Sequence, residues 1–279
     1  MRWHDEDVSD QVRRAADRFV DECAGAPWSV AWCAGAGVSG ATGEQLMAET
    51  ETLAALLDAL PADGMGRFFL SSSAGGIYAG SGDLPITEES LASPLSGGAY
   101  GYGENKLRQE TLVGEWVAST GNAAAVGRIA NLYGPGQSLT KGQGLITTVA
   151  YLTLLRRPVP VFVSLDTLRD YIYSGDCARL AVEMLQSDRM LPGTMTTKIL
   201  CSGTTRSVGE VLAEVGRVVG RTPGFAQGAT SASRLQGRAL RFRSTVWSDL
   251  DDIAFTPLPH GIDCIVGHLR REIGRARLV

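Results

Sequence analysis

Short apolar runs alternate along the chain with segments in which apolar residues recur at helical spacing. In the first half this pattern predicts, in order, a helix over 8–23, a strand over 28–33, a leucine-lined helix over 46–60, a strand over 67–72, a helix over 102–118 and a strand over 123–129. Alternation of this kind is typical of β-α units and a mostly parallel sheet.

The second half has a less regular pattern. It predicts strands at 159–163 and 198–202 and helices at 177–185 and 208–219, with connecting segments for the remainder. We therefore expect residues 1–130 to form regular β-α units and residues 131–279 to form a less regular portion, with some strands returning to the sheet.

Composition narrows the class of protein. The chain has 279 residues, 44% hydrophobic and 20% charged, which is enough to build a sizeable core and argues against disorder. Its apolar stretches, such as Ile146–Leu155, fall short of the roughly 20 residues that a bilayer span needs, and the N-terminus is acidic. We expect a cytoplasmic protein with no membrane partner.

Net charge and cysteine content argue against a nucleic-acid partner, a disulfide framework and a metal site. The net charge of −4 offers no general attraction for a phosphate backbone, so we expect no nucleic-acid partner. The five cysteines are scattered, without a C-x-x-C pair, so neither a disulfide framework nor a metal site is expected. Only three of the basic residues are lysines, at 106, 141 and 198, which makes each lysine more informative.

Tyr102 and Lys106 form a pair whose spacing permits chemistry. They lie four residues apart at the start of a predicted helix, which puts both side chains on one face, about one turn apart. A phenol is a poor general base at its ordinary pKa of about 10, but an adjacent ammonium stabilises the phenolate and brings that pKa towards neutrality. The alternative is an exposed helix start with a solvated lysine.

A serine-rich segment, residues 68–78, runs from a predicted strand into a loop. The carboxyl ends of parallel strands are where α/β sheets place their sites, although serines can also simply terminate a strand. Together with Tyr102 and Lys106, this segment resembles the extended short-chain dehydrogenase/reductase family, specifically its NAD-dependent nucleotide-sugar epimerases and dehydratases.

Two later segments resemble the same family. Residues 127–136, GRIANLYGPG, are similar to its R-x-x-N-x-Y-G-P-G segment, and residues 169–176, RDYIYSGD, to its R-D-[FY]-[IV]-[YH]-x-x-D segment. The likeness fades after about Ser207. It implies an α/β, Rossmann-like fold with a mostly parallel sheet and a smaller C-terminal substrate-binding portion. On this resemblance, residues 1–130 would form a partial dinucleotide-binding domain and residues 131–279 mainly the substrate-binding portion.

The resemblance implies catalytic roles for three residues. Tyr102 would be the acid/base, Lys106 would support it and bind the nicotinamide ribose, and Ser73 would hold the reacting hydroxyl. Ser72 is an alternative to Ser73, because the loop that follows carries one residue more than in many relatives. Ala34, Gly35 and Ser71 would contact the cofactor together with Lys106.

The resemblance also implies substrate contacts. Asn131 and Arg169 would meet the nucleotide sugar, with the planar guanidinium of Arg169 pairing with its diphosphate. Arg238 is implied as a further phosphate ligand. The alternatives are an amide that stabilises a loop for Asn131 and a structural ion pair with Asp176 for Arg169.

The N-terminal part departs from the family. Members begin with a strand and a Gly-rich turn whose backbone amides hold the dinucleotide pyrophosphate, and nothing before Trp28 supplies such a turn. Residues 35–40, GAGVSG, read literally as G-x-G-x-x-G, but they lie too close to Tyr102 for a family fingerprint. We therefore expect an N-terminally incomplete sheet, which an internal start, a truncation or real loss of cofactor binding would each explain.

Two functions follow. The first is an NAD- or NADP-dependent sugar-nucleotide epimerase or dehydratase that oxidises a sugar hydroxyl. The second is a cofactor-free, catalytically silent relative that binds a ligand or a partner protein. In either case the strand at 28–33 would be an apolar sheet edge, covered by the N-terminal residues, by a second copy or by a partner, and we expect a homodimer.

Overall fold

The computed structural model of the chain describes residues 7–35, 41–95, 101–139, 144–228 and 239–276. These residues fall into two compact units. The first contains the described residues of Met1–Ser81, Ser90–Ile129 and Leu180–Ile199, and the second contains those of Gly82–Glu89, Ala130–Arg179 and Leu200–Val279.

Helices and strands alternate through most of the chain. The helices are α1 (Val8–Cys23), α2 (Gly43–Ala59), α3 (Ala74–Ile77), α4 (Tyr102–Thr120), α5 (Leu145–Leu154), α6 (Ser174–Gln186), α7 (Val208–Val219) and α8 (Leu258–Ala276). The strands are β1 (Ser29–Trp32), β2 (Arg67–Ser73), β3 (Ala123–Ile129), β4 (Asn131–Tyr133), β5 (Val159–Val161), β6 (Leu168–Tyr173), β7 (Met195–Leu200), β8 (Thr205–Ser207), β9 (Phe225–Gln227) and β10 (Ala239–Leu240). A 3-10 turn covers Ser248–Asp251.

Most strand pairs are parallel. The first unit holds the sheet β1-β2-β3-β7, in which β2 runs parallel to both β1 and β3. The second unit holds the sheet β10-β6-β4 and a separate parallel pair, β5-β9, and β8 runs antiparallel to β6. The expected α/β, Rossmann-like fold with a mostly parallel sheet is confirmed.

Strand β1 is the end strand of its sheet among the described residues. Trp32 in β1 and Trp28, just before it, are buried in one core cluster with residues of α1 and α2, and the ring of Phe19 in α1 meets Trp28 edge to face. Helix α1 thus packs on these two tryptophans, and the expected covering of the backbone edge of β1 stays a prediction. No other described strand pairs with the outer backbone edge of β1.

Local sequence explains how the first unit holds α2 and β2 in place. Thr42 begins α2 with a capping box, in which its hydroxyl accepts from the backbone N–H of Gln45 while the Gln45 side chain accepts from that of Thr42. Just before β2, a side chain at Gly66 would collide with the indole of Trp28, so only glycine fits there. Asn122 joins the start of β2 to the start of β3, because its side-chain oxygen accepts from Gly66 N–H at 2.9 Å.

The second half contains more regular structure than its pattern suggested. Segments expected to be connections form the helices α5 and α8 and the strand β6. Helices α5, α7 and α8 share one core, into which Ile146, Val211 and Ile265 are fully buried. In the described part of the chain, no helix combines the length and the apolar character that crossing a membrane requires.

Candidate functional site

Ser73 and Tyr102 meet where β2 ends and α4 begins. Ser73 caps α3, accepting from the backbone N–H of Gly76 at 3.1 Å, and its hydroxyl is near enough to the phenol of Tyr102 to lower the pKa of that phenol. The Tyr102 ring lies against Gly76, where an added Cβ would approach the ring carbon Cδ1 to 2.8 Å. A backbone position without a side chain therefore makes room for the tyrosine beside the serine.

Lys106 lies one helical turn after Tyr102 and on the same face. Its Nζ is 5.8 Å from the centroid of the Tyr102 ring and donates to Oε1 of Gln109 at 3.0 Å. The lysine is only 7% exposed, so its ammonium is held inside the protein rather than solvated. The burial of Lys106 excludes the alternative interpretation of the Tyr102–Lys106 pair, an exposed helix start with a solvated lysine.

Ser72 has a different partner from Ser73, because successive residues of a strand face opposite sides. Its hydroxyl donates to Oε1 of Glu110 at 2.5 Å. Arg128 in β3 donates two hydrogen bonds to the same carboxylate, from Nε to Oε1 at 3.0 Å and from Nη2 to Oε2 at 2.6 Å. Ser73 rather than Ser72 therefore reaches Tyr102, and Ser72 belongs to a buried ion pair behind it.

Glu49 in α2 is a buried carboxylate whose charge acts on the candidate site. It is 3% exposed, and its negative charge acts on both of these groups. Its carboxylate also lies against Gly35, where an added Cβ would meet Oε2 at 3.3 Å. A buried acid thus lies against the turn that follows β1.

The electrostatics of the pair differ from the simple expectation of a depressed phenol pKa. Burial raises the pKa of Tyr102, the hydrogen bond from Ser73 lowers it in part, and the Glu49 charge raises it. Burial lowers the pKa of Lys106, while the charges of Glu49 and Glu110 raise it in part. Tyr102 is therefore a phenol near neutral pH in this structure, a state in which it donates rather than accepts a proton.

The predicted cofactor contacts lie at strand ends of the first unit. Ala34 and Gly35 follow β1 after one intervening residue, and Ser71 is half-buried within β2. This turn has only a methyl group at position 34 and no side chain at 35, and the Lys106 and Tyr102 donors suit hydroxyl and amide groups. These residues fit the nicotinamide end of a dinucleotide. Most of the literal Gly-rich run, 36–40, lies outside the described residues.

The predicted substrate residues lie in the second unit. The side-chain nitrogen of Asn131 donates to the backbone carbonyl of Asp170 at 2.9 Å, so this donor ties β4 to β6. Arg169 is 8% exposed, and its Nη1 donates to the carbonyl of Leu168 at 2.8 Å. Burial lowers the pKa of Arg169, an effect that Tyr171 partly offsets. The roles of Asn131 and Arg169 stay predictions, and Arg238 lies outside the described residues.

Asp176, the alternative partner considered for Arg169, is bonded within the second unit. It accepts from Thr256, at 2.7 Å from the backbone N–H and 3.1 Å from the hydroxyl, and it pairs with Arg179 at 3.5 Å. Among the residues that the structure describes, no group of three or more His, Cys, Asp or Glu side chains could hold a metal ion.

Residues 4–196 match the NAD dependent epimerase/dehydratase family. The chain belongs to this family. The match covers most of the chain, including Ser73, Tyr102 and Lys106, and it confirms the resemblance drawn from the motifs. It does not assign a specific activity.

Similar proteins agree with the family. A dTDP-L-rhamnose 4-epimerase of Burkholderia thailandensis is 29% identical over 108 residues, which are 38% of this chain and 29% of that protein. The aligned region spans about a third of the length of the curated relatives that this chain matches.

Two solved structures show the same fold. An epimerase of Methanothermobacter thermautotrophicus superposes with a TM-score of 0.81 at 18% identity, covering 97% of this chain and 79% of that one. The UDP-glucose 4-epimerase of Thermus thermophilus, solved with NAD, has a TM-score of 0.77 at 21% identity, covering 94% and 83%.

Three site residues were not identified from the sequence. Glu110 follows Lys106 by one helical turn, a spacing that places both on one face and could have revealed it. Glu49 and Arg128 approach through tertiary packing, from α2 and β3, and no local spacing connects them with Tyr102. Arg128 lay within a recognised motif but carried no assigned role.

Proposed function

We propose that this chain carries out the oxidation of a sugar hydroxyl in a nucleotide-sugar substrate, with Tyr102 as the acid/base. The observation that carries the proposal is the setting of Tyr102, with the Ser73 hydroxyl near its phenol and the Lys106 Nζ 5.8 Å from the centroid of its ring. Family membership supports it, as do the neighbouring epimerases that share the fold.

Each residue has a defined task. Tyr102 first releases its own proton to solvent. The Ser73 hydroxyl then orients the substrate hydroxyl against the phenolate oxygen of Tyr102, which takes up the hydroxyl proton and later returns it. The Lys106 ammonium stabilises the phenolate while the proton is transferred. When bound, NAD or NADP supplies the hydride acceptor for the sugar carbon, and Ala34, Gly35, Ser71 and Lys106 are the residues that would hold its nicotinamide end.

The buried surroundings serve this chemistry. With Lys106 at 7% and Glu110 at 6% exposure, water is largely excluded from the charges behind Tyr102. Exclusion of water strengthens the effect of an ammonium on a neighbouring phenolate. Asn131, Arg169 and Arg238 are proposed as contacts to the nucleotide sugar, with Arg169 suited to a diphosphate because it is permanently charged and planar.

The test combines binding and redox measurements on the full chain. Isothermal titration with NAD and with NADP is expected to show saturable binding of at least one of them. Addition of dTDP- and UDP-hexoses to that complex is expected to raise the absorbance of reduced nicotinamide at 340 nm. Binding of nucleotide sugars without any nicotinamide binding would instead support the cofactor-free alternative.

A further inference from the structure

The ammonium of Lys106 is held by Gln109, three residues further along α4. Nζ of Lys106 donates to Oε1 of Gln109 at 3.0 Å, and the two residues are 7% and 1% exposed. Residues three apart on a helix are surface neighbours, so the backbone of α4 already brings these two side chains together. An ammonium can only donate, and the oxygen of the Gln109 amide is therefore the end that must face it.

A threonine of α2 contacts the other end of the Gln109 amide. Nε2 of Gln109 lies 3.5 Å from Oγ1 of Thr50, which is longer than a typical N–H···O bond. The single proton of the Thr50 hydroxyl points to a carbonyl-type oxygen, either Oδ1 of Asn105 at 3.0 Å or the backbone oxygen of Leu46 at 3.4 Å. Thr50 can therefore meet Gln109 only as an acceptor, so the NH2 group of Gln109 is the end that must face Thr50.

Both neighbours of the Gln109 amide select the same orientation of that amide. In the flipped orientation its NH2 group would face the Lys106 ammonium, and its oxygen would face a Thr50 hydroxyl whose proton is already donated elsewhere. Both hydrogen bonds would be lost. Unmade hydrogen bonds are costly for buried groups, and most of all for a charged one. The network therefore holds the amide, and with it the position of Nζ, in one arrangement.

The packing of α2 against α4 keeps Thr50 at this position. Asn105, which is 2% exposed and directly precedes Lys106, is bonded to Thr50 at 3.0 Å. Further along the same two helices, the indole N–H of Trp116 donates to the backbone oxygen of Leu57 at 3.0 Å. The two helices are thus joined by buried hydrogen bonds at two levels, so the distance between Thr50 and Gln109 is set by the fold.

We propose that Gln109 is a positioning residue that holds the Lys106 ammonium at the Tyr102 ring, and that Thr50 orients the Gln109 amide for this task. The proposal rests on the proposed function for its catalytic meaning, because Lys106 acts there on the phenolate of Tyr102. Nζ lies 5.8 Å from the centroid of the Tyr102 ring. A lysine side chain is a flexible four-carbon stem, and a charge that is already in place when the phenolate forms needs no reorganisation.

The test follows the Lys106 side chain by NMR in the ligand-free full chain. The chain has only three lysines, so lysine labelled with carbon-13 and nitrogen-15 gives few signals, and the Lys106 signal is the one that Lys106→Met removes. In Gln109→Leu we expect the Lys106 ammonium protons to exchange with water about tenfold faster or more, because a hydrogen bond to a charged group is lost. Nuclear Overhauser contacts between the Lys106 side chain and the Tyr102 ring should weaken in the same variant.

Variants of Thr50 test the orientation of the amide. Thr50→Val removes the hydroxyl and keeps the shape, so we expect faster exchange at Lys106, by less than in Gln109→Leu. Thr50→Ser keeps the hydroxyl and should exchange like the wild type. Thr111→Val is the matched control in α4, since the exposed Thr111 hydroxyl donates to the backbone oxygen of Leu107 in its own helix at 3.0 Å. This control should leave the Lys106 signals unchanged.

Two results would overturn the proposal: unchanged exchange and ring contacts of Lys106 in Gln109→Leu, or an equal acceleration in Thr111→Val. Lys198, which is fully buried in β7, is the internal reference, and an equal acceleration there would mean general loosening and also contradict the proposal. If Gln109→Leu does not fold, the Thr50 variants decide, because equal exchange in Thr50→Val and Thr50→Ser would refute the role of the hydroxyl. No step uses cofactor or turnover, so this outcome is independent of whether the chain reduces nicotinamide.

Discussion

The two units carry motifs of the same family but use their polar residues differently. In the first unit, Ser73, Lys106 and Glu49 act on one phenol, that of Tyr102, through side-chain contacts and charge. In the second unit, Asn131 and Asp170 bond mainly to the chain itself.

The contacts of Asp170 illustrate this difference. Its Oδ1 accepts from the backbone N–H of Ser202 at 2.8 Å and from the Ser202 hydroxyl at 3.1 Å, which ties β6 to the turn after β7. A motif match alone therefore does not separate residues that do chemistry from residues that hold strands together. The geometry of their partners does.

The largest expected effect comes from removing the phenol oxygen of Tyr102. In Tyr102→Phe we expect the rate of nicotinamide reduction by a nucleotide sugar to fall about 10²- to 10⁴-fold, because a positioned acid/base contributes that much. The melting temperature should change little, since the ring and its packing on Gly76 remain. Steady-state kinetics at 340 nm and calorimetry measure the two effects. Tyr151→Phe in α5 of the second unit is the control, and an equal loss there would refute the assignment.

Glu110 tests whether the first unit also depends on its polar groups for stability. Glu110→Gln leaves the buried Arg128 without its counter-charge, and removing one partner of a buried pair costs about 3–5 kcal/mol of unfolding free energy. Urea unfolding measures this loss. Glu115→Gln, an exposed acid on the same helix, should change the free energy by less than about 0.5 kcal/mol. Similar losses of unfolding free energy in both variants would contradict a stabilising role for the Glu110–Arg128 ion pair.

The pH dependence of the unfolding free energy tests the contribution of Asp170 in the second unit. Burial raises the pKa of Asp170 to about 6, although bonds from Ser202 and its neighbours lower it in part. Because the folded protein then binds more protons than the unfolded chain between about pH 4 and 6, the stability that Asp170 contributes falls as pH rises through that window.

Asp170→Asn should abolish this dependence. Relative to the wild type, the variant should gain about 2 kcal/mol of unfolding free energy between pH 4.5 and 7.5, measured by urea unfolding at both values. Asp263→Asn, an exposed position in α8, is the control and should show no such gain. A constant difference between Asp170→Asn and wild type at the two pH values would contradict the raised pKa.

The smallest expected effect comes from two neighbouring glycines in α3. In Gly76→Ala the new methyl group would press on the Tyr102 ring, so we expect a loss of about 1–3 kcal/mol in stability together with a lower turnover rate. In Gly75→Ala there is open space around the new methyl group, so both quantities should stay near wild type. Thermal unfolding and kinetics on the pair separate ring displacement from a general effect of alanine.

The sequence predicted the first unit well because short local patterns identify its helices and strands. Periodicity identified α1, α2 and α4, and compact apolar runs identified β1, β2 and β3, since each buries one recognisable face. The pairing of Tyr102 with Lys106 follows from helical spacing. The approach of Glu49 does not, because it depends on how α2 packs against α4, a contact between residues far apart in the chain.

The second unit was predicted less well, for two physical reasons. Strands such as β4, β8 and β10 have only two or three residues, too short for a periodic signal. Helix α8 did carry a signal, since Leu258, Ile262, Ile265 and Leu269 recur at spacings of three and four residues, but it lies beyond the segment where the family motifs guided the interpretation.

The most direct test of the account is the transfer of hydrogen from substrate to cofactor. The full chain is incubated with NAD or NADP and with nucleotide sugars deuterated on the ring carbons, and the nicotinamide is analysed by mass spectrometry. The account predicts deuterium in the nicotinamide with wild-type protein and at least a hundredfold slower appearance with Tyr102→Phe. Deuterium transfer that proceeds equally well in Tyr102→Phe, or no transfer from any sugar despite bound nicotinamide, would contradict it.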